Sequence, residues 1–266
     1  MKENNLDTIT ISETVDHLRS LYFNKFYIDG AEHSNSSDSV TTMDKALIDR
    51  LKDKTCAIVT GSPSLMDYNY GELIDKHDYI IRSNQSPHEG YEKFVGSRTD
   101  IRIINSHYFT ALKGTFPPSH PAFIPNMKKE YPMFDENFLR KRKNEILWVK
   151  CHVNKNNFSN EILEIQNNDN IVSFVNDYFY NYASNLVGNN ATNGYITTLL
   201  AIRYFKKVSL FGFSFYEELE NKFQKDIYYF MPWIRPANWT NCHNNNNEGF
   251  FIKQLAKSGF VQIHKN

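Results

Sequence analysis

CAIVTGSPSLMDYNYGELIDKHDYIIRSNQSPHEGYEKFVGSRT, residues Cys56 to Thr99, opens with the short apolar run Cys56 to Val59 and breaks at the turn cluster Gly61-Ser62-Pro63-Ser64. A second apolar run, Tyr79 to Ile81, ends in Arg82-Ser83-Asn84. Apolar runs this short, bounded by turn residues, suit strands buried on both faces of a parallel sheet. In an open α/β sheet, ligands bind where loops leave the carboxyl ends of strands. Gly61-Ser62 and Arg82-x-Asn84 both fall at such ends, and both supply groups suited to a phosphate or a ribose. The residues alone point to a phosphorylated-ligand site, with two tight turns of an ordinary α/β domain as the plainer reading.

Outward from this stretch, Ile101 to Ile104 reads as a third strand ending in Asn105-Ser106-His107. Ile146 to Lys150, Ile171 to Val175 and Val208 to Phe213 read as further strands. Helical runs alternate with them to the end of the chain, and no internal repeat interrupts the pattern. A single Rossmann-like α/β domain is expected, with a mainly parallel central sheet and helices on both faces. Upstream, Met43 to Leu51 reads as a short helix feeding the first strand. Ser12-Glu13-Thr14 can cap a helix running to Tyr27, with Val15, Leu18, Leu21 and Tyr22 on one face, and Ser34 to Ser39 is a polar linker. The Pro-rich, aromatic segment 108–145, basic at Arg140-Lys141-Arg142-Lys143, reads as a long surface excursion with one solvated helix. An acceptor-binding or membrane-facing segment is the alternative, because long loops in compact domains are often functional.

The chain has 266 residues, 41% of them hydrophobic, enough for one large domain with a sizeable core. Lys+Arg and Asp+Glu are both 30, so the basic footprint of a nucleic-acid binder is missing and no nucleic-acid partner is expected. No run approaches the ~18 apolar residues of a membrane span, and no signal peptide is visible. Met1 and a composition rich in Asn, Lys and Ile read as a natural start, and a cytoplasmic placement is expected; a trimmed membrane anchor is the alternative. Cys56, Cys151 and Cys242 make no disulfide framework.

Two further blocks carry chemistry. Ala191-Thr192-Asn193-Gly194 precedes a helical run from Tyr195 to Phe205. Thr192 or Asn193 can cap that helix, whose start offers free N–H groups and partial positive charge to an anion. Gly194 lets a ligand approach the backbone closely. His243 precedes the last helical run, Glu248 to Ser258, in the pattern H-x-x-x-x-E, and the loop must fold back for the two side chains to work together. Cys242-His243 and Cys151-His152 are isolated pairs, so no metal site is expected.

Together these blocks resemble the eukaryotic-type sialyltransferases, glycosyltransferase family 29. The run C-A-I-V, S-x-x-L, Y-G-x-x-I-D-x-H-D-Y, R-x-N-x-x-P and G-Y-E-x-x-V-G-S-R-T is similar to the family's large sialyl motif. Thr192, Asn193 and Gly194, with Gly212-Phe213 after the strand, are similar to its small motif, and His243 with Glu248 to its last one. The resemblance implies a GT-A-like variant of the Rossmann-like fold. It implies an inverting, metal-independent transfer of sialic acid, or a related nonulosonic acid, from a CMP-sugar to a glycan hydroxyl. Transfer of another CMP-linked acid sugar such as Kdo, or a catalytically silent nucleotide- or glycan-binding homologue, are the alternatives. His243 becomes the base, with Gly61, Ser62, Asn84, Asn105, Thr192, Asn193, Gly194, Gly212, Phe213, Tyr228 and Glu248 around the donor. A histidine titrates near neutrality and suits deprotonation of the acceptor hydroxyl. No cofactor is implied, since the CMP-sugar is a substrate. The acceptor is a glycan, lipid-linked or part of a surface polysaccharide, with a peripheral membrane contact.

Residues 1–42 are then a helical N-terminal extension with its linker, and 43–266 the catalytic domain. The chain departs from the family pattern in places. The large motif's Gly-Asn-Ser-Gly-Asn is replaced by Thr60-Gly61-Ser62-Pro63-Ser64, and Pro63 removes a backbone donor. The third motif is reduced to Ile227-Tyr228-Tyr229-Phe230, without its phosphate-facing histidine, so that Tyr228 or another group must serve. Asn105 stands where a tyrosine is common. Phe205 replaces the partner with which the family bridges the Cys56 position, so that disulfide is not expected.

Overall fold

The computed structural model describes residues 8–20, 26–28, 31–33, 45–105, 142, 144–150, 171–214, 228–230 and 243–264. A small antiparallel hairpin joins β1 (Phe26–Ile28) to β2 (Ala31–His33). The main sheet comprises β3 (Thr55–Val59), β4 (Tyr79–Ser83), β5 (Ile101–Asn105), β6 (Ile146–Lys150), β7 (Ile171–Val175), β8 (Lys207–Phe211) and β9 (Gln262–His264). Its seven strands lie in the order β7-β6-β5-β4-β3-β8-β9, and every pairing is parallel. This is the expected parallel sheet. The continuous apolar runs arise because central strands here are covered on both faces, so neither face needs a polar alternation.

The helices are α1 (Thr8–Ser20), α2 (Lys45–Leu51), α3 (Gly71–Asp75), α4 (Glu92–Val95), α5 (Asp177–Val187), α6 (Asn193–Tyr204) and α7 (Asn245–Lys257). One face of the sheet, with Cys56, Ile58, Ile81 and Ile103, packs into a large core with α1, α5, α6 and α7. The other face, with Ala57, Val59, Ile80 and Phe211, packs against Leu65, Ile74 of α3 and Val95 of α4. Helix α6 is buried nearly all round, from Tyr195 through Ile202, which is why its sequence shows no polar stripe.

At its amino end the chain departs from expectation. Helix α1 starts at Thr8, so Ser12-Glu13-Thr14 lies inside it rather than capping it, and it ends at Ser20; Phe26–Ile28 is strand. Ile11, Val15 and Leu18 are buried in the large core, and Arg203 of α6 donates to the Leu18 and Arg19 carbonyls at 2.7 and 2.6 Å. The helix expected in an extension thus shares the core of residues 45–264. Cys56 is a buried free thiol, raised well above its ordinary pKa by burial and then by the Asp100 charge, and Phe205 lies in the same core. Cys151 and Cys242 lie outside the described residues.

The connection from β3 leads to β4 on one side, and that from β8 leads to β9 on the other. Ligand crevices of open α/β sheets form at such a reversal, outside the carboxyl ends of the strands. Val59 and Phe211, the last residues of β3 and β8, are register partners, so their following loops start side by side.

Candidate active site

The β3 and β8 loops are locked to each other. Thr60 Oγ1 donates to the Gly212 carbonyl at 2.7 Å. Gly212 has φ 76°, and a Cβ there would lie 2.6 Å from Thr60 Oγ1 and 2.9 Å from Leu65 Cγ. Both facts require glycine. A Cβ on Gly61 would lie 2.6 Å from Tyr228 Cδ1, and the Tyr229 N–H donates to the Gly61 carbonyl at 2.9 Å. Tyr228 stacks on Phe230 with ring centroids 5.2 Å apart, and the shortened third motif lies against the Gly61 loop. Ser62 caps the 3₁₀ turn Pro63–Asp67, its Oγ accepting from the Ser64 N–H at 3.3 Å.

The β4 and β5 ends meet α6 through three asparagines. Asn84 takes the left-handed region, φ 49°, which asparagine tolerates better than most residues. Its Oδ1 accepts from the Asn105 N–H at 3.0 Å and from Asn193 Nδ2 at 3.2 Å. The backbone donor demands an oxygen there, so the Asn193 amide is oriented with Nδ2 toward Asn84. Asn193 Oδ1 is left buried, with no partner among the described residues. Thr192 caps α6, its Oγ1 accepting from the Tyr195 N–H at 3.2 Å. The N–H groups of Asn193 and Gly194 find no acceptor among the described residues, and those are the groups an anion would take. A Cβ on Gly194 would meet Phe213 Cε1 at 3.5 Å, an ordinary contact, so the protein itself does not require glycine there.

Arg82 does not offer its charge to a ligand. It is fully buried, donating from Nε to Thr99 Oγ1 at 3.0 Å and from Nη2 to the Val95 and Arg98 carbonyls at 2.5 and 3.1 Å. Burial lowers its pKa to about 10. Next to it, Arg102 forms a two-pronged pair with Glu145 at 2.6 and 2.9 Å and donates to the Asn84 and Ser86 carbonyls. These arginines shape the loops of the large motif rather than line the crevice.

His243 and Glu248 converge on one short segment, Asn190-Ala191-Thr192. His243 Nδ1 lies 2.7 Å from the Asn190 carbonyl. A carbonyl only accepts, so Nδ1 carries the proton and the basic lone pair is on Nε2. Glu248 Oε1 accepts from the Thr192 N–H at 2.8 Å, and Oε2 from Thr192 Oγ1 at 2.6 Å. With 5% exposure and both oxygens engaged, Glu248 stands behind Thr192 as a buttress rather than in the crevice as a donor contact. Burial raises its pKa to about 7, against the Thr192 hydrogen bonds and the Lys150 charge. Lys150, fully buried at the end of β6, donates to the Ala191 carbonyl at 3.1 Å and lies 5.2 Å from the Tyr180 ring centroid. Burial lowers its pKa to about 8, against the attraction of Glu248.

The structure thus brings Gly61, Ser62, Gly212 and Tyr228 together at β3 and β8, and Asn84, Asn105, Asn193 and Thr192 together at β4, β5 and α6. Phe213, next to Gly212, lies where a Cβ on Gly194 would meet it at 3.5 Å, which places the two groups side by side. Lys150, Asn190, Arg102 and Glu145 were not among the site residues expected from the sequence. The signal available for Lys150 was a lysine closing an otherwise apolar strand. His107, Cys151, His152 and most of 108–145 lie outside the described residues; Arg142 of the basic run is described, and it pairs with Glu89.

A family model described as glycosyltransferase family 29 (sialyltransferase) matches residues 10–260. The chain belongs to glycosyltransferase family 29. Its relatives in that family include beta-galactoside alpha-2,6-sialyltransferase 2 of Bos taurus, 47% identical over 57 residues, which are 21% of this chain and 12% of the relative. The Homo sapiens counterpart is 39% identical over 77 residues, 29% of this chain and 13% of the relative. A beta-1,6-galactosyltransferase of Arabidopsis thaliana is 49% identical over 53 residues, 20% of this chain and 13% of the relative. The matches thus span 12–13% of the length of these relatives. Among solved structures, a mammalian sialyltransferase matches with a TM-score of 0.57 and 17% identity, covering 100% of this chain and 80% of that one. A mammalian sialyltransferase in complex with Gal-beta-1-3GalNAc-ortho-nitrophenol matches with a TM-score of 0.54 and 14% identity, covering 100% and 82%. These likenesses establish the fold, the GT-A-like arrangement expected for this family.

Proposed function

We propose that this family 29 chain is an inverting sialyltransferase, moving sialic acid or a related nonulosonic acid from its CMP donor to a glycan hydroxyl. The observation that carries the reading is the segment Asn190–Gly194. At one end its Asn190 carbonyl holds His243 with Nε2 basic, and at the other its Asn193 and Gly194 N–H groups are open to an anion. A base for the acceptor and a cradle for the leaving phosphate are thus built within a few residues of one another. In the proposed reaction, the acceptor oxygen attacks the anomeric carbon as the bond from that carbon to the CMP oxygen breaks. His243 Nε2 takes the hydroxyl proton, and the charge arriving on CMP meets the α6 start. Tyr228, held against Gly61, is the candidate to replace the missing third-motif histidine.

The test is CMP release from CMP-sialic acid with β-galactoside and other glycan acceptors, beside CMP-Kdo and, because a plant relative is a galactosyltransferase, UDP-galactose. Acceptor-dependent release from CMP-sialic acid supports the reading. Turnover of UDP-galactose or CMP-Kdo in its place, or binding without turnover, overturns it. Activity is expected to survive EDTA, since the proposed chemistry assigns charge stabilisation to N–H groups; activity lost on chelation and restored by manganese contradicts that. The acceptor is proposed to be a membrane-associated or surface glycan, which a screen of lipid-linked and free oligosaccharides tests.

A further inference from the structure

Among the described residues, Lys150 is the lysine that the fold buries completely. An ammonium group taken out of water is unfavourable unless its charge and N–H groups are answered. A position closing the apolar strand β6 is otherwise well served by methionine or leucine. What the lysine adds is reach: its Nζ crosses from the sheet to the Ala191 carbonyl at 3.1 Å. Its charge faces the Tyr180 ring on α5 and the Glu248 carboxyl on α7. The segment Asn190, Ala191 and Thr192 is held by His243, Lys150 and Glu248, and also by Ser184, whose Oγ accepts from the Ala191 N–H at 3.1 Å, and by Tyr180, whose hydroxyl donates to Asn190 Oδ1 at 3.3 Å. The amide between Ala191 and Thr192 is held at its N–H by Glu248 and at its carbonyl by Lys150, which ties it to the sheet.

We propose that Lys150 is a positioning residue of this site: with the Ala191 N–H held by Ser184 Oγ, the Lys150 bond to the Ala191 carbonyl fastens the other side of that residue to the end of β6 and so fixes the neighbouring Asn190 carbonyl that orients His243. The kinetic part of this inference rests on the transferase reading; the structural part does not. Lys150→Met keeps the volume of the stem and removes the donor. Turnover should fall by about 10²-fold, the loss that a small misplacement of a catalytic group produces. CMP affinity should change by less than about threefold, because Thr192 keeps its own anchors and the lost interaction belongs to the reacting state.

The deciding measurement is the ¹⁵N spectrum of the His243 imidazole in the absence of substrate. Wild type should show the single tautomer with the proton on Nδ1, and Lys150→Met a mixture. Lys150→Arg, which keeps the cation and a donor, should retain the wild-type tautomer. Wild-type tautomer and turnover in Lys150→Met overturn the proposal. If that variant does not fold, a mixed tautomer in Lys150→Arg overturns it. Absence of transfer in all these proteins, with the tautomer pattern as stated, would sink the sialyltransferase reading and leave the positioning role standing.

Discussion

Two buried cations on opposite faces of the sheet each donate to carbonyls of a loop, and they do so in different ways. Arg102 answers its charge in full, with two prongs on Glu145 and further bonds to the Asn84 and Ser86 carbonyls. Lys150 makes one hydrogen bond, to Ala191, and meets Glu248 across space. The guanidinium is planar and always charged, so its cluster is a permanent strut. Burial pushes the ammonium and the carboxyl of the second cluster each toward its own neutral form, with pKa values of about 8 and about 7. Its state of charge therefore changes with pH near neutrality. The first arrangement holds the Asn84–Ser86 loop, and the second sits beside the carbonyl that holds His243.

The clusters should accordingly break in different ways. The largest effect is expected at the residue the second cluster supports. His243→Ala should lower turnover by roughly 10²–10⁴-fold, the range for a general base, with melting temperature and CMP affinity little changed. Near-normal turnover would move the base elsewhere, and His107 would be the next candidate. In the first cluster, Glu145→Ala leaves Arg102 buried without its carboxylate and should cost about 3–5 kcal/mol of stability, read by urea unfolding. An unchanged midpoint would mean that the Arg102 pair is not the strut described.

A pH series sharpens the contrast. The folded Glu248 carboxyl holds its proton more tightly than the unfolded chain does, so its contribution to stability is present at low pH. That contribution is lost as pH rises from the ordinary glutamate value through about 7. For Lys150 the folded state holds its proton less tightly. The unfolded chain then binds the extra proton from about 8 to the ordinary lysine value, and stability rises with pH across that window. The pair predicts a trough between 7 and 8. Glu248→Gln should remove the falling limb, and an identical limb in that variant would assign it to other groups. Smaller still are two glycine effects. Gly212→Ala should destabilise by about 1–3 kcal/mol, from its backbone conformation and the Thr60 contact. Gly194→Ala should leave the melting curve unchanged and weaken CMP binding alone. Equal stability losses in the two would show that Gly194 is required by the fold and not by a ligand.

Strands β3 to β8 and the Thr192 cap were legible because their causes are local: apolar runs, turn residues and a hydroxyl ahead of a helix; the three-residue strands β1, β2 and β9 are too short to show such a run. The left-handed Asn84 also advertises itself through its residue type. The charged clusters were not legible, because their partners are remote. Arg102 and Glu145 are 43 residues apart, and Glu248 meets Thr192 over 56. A charged residue in a strand reads as an edge or an end until its distant partner is known. For the same reason Arg82 looked like a ligand group: its acceptors are carbonyls of the Val95–Arg98 loop, and carbonyls leave no mark in a sequence. Ser12-Glu13-Thr14 looked like a cap, but the burial of Ile11, Thr14, Val15 and Leu18 against the core carries α1 straight through it. Glu248 was placed with the donor contacts because a motif names residues and does not say which of them stand behind the others.

The side-by-side placement of β3 and β8 has a consequence for how the protein is made. The Thr60–Gly212 bond spans 152 residues, and β3 pairs with β8 along its whole length. A ribosome adding roughly 5–20 residues per second leaves β3 exposed on that edge for about 8–30 s before β8 exists. Pairings of such separation also close slowly, because loop entropy must be overcome before any contact forms. The crevice is therefore completed late, with only β9 still to add, and the nascent chain carries an open, apolar strand edge until then. In the cell, the yield of active protein should depend on chaperones that shield that edge during synthesis.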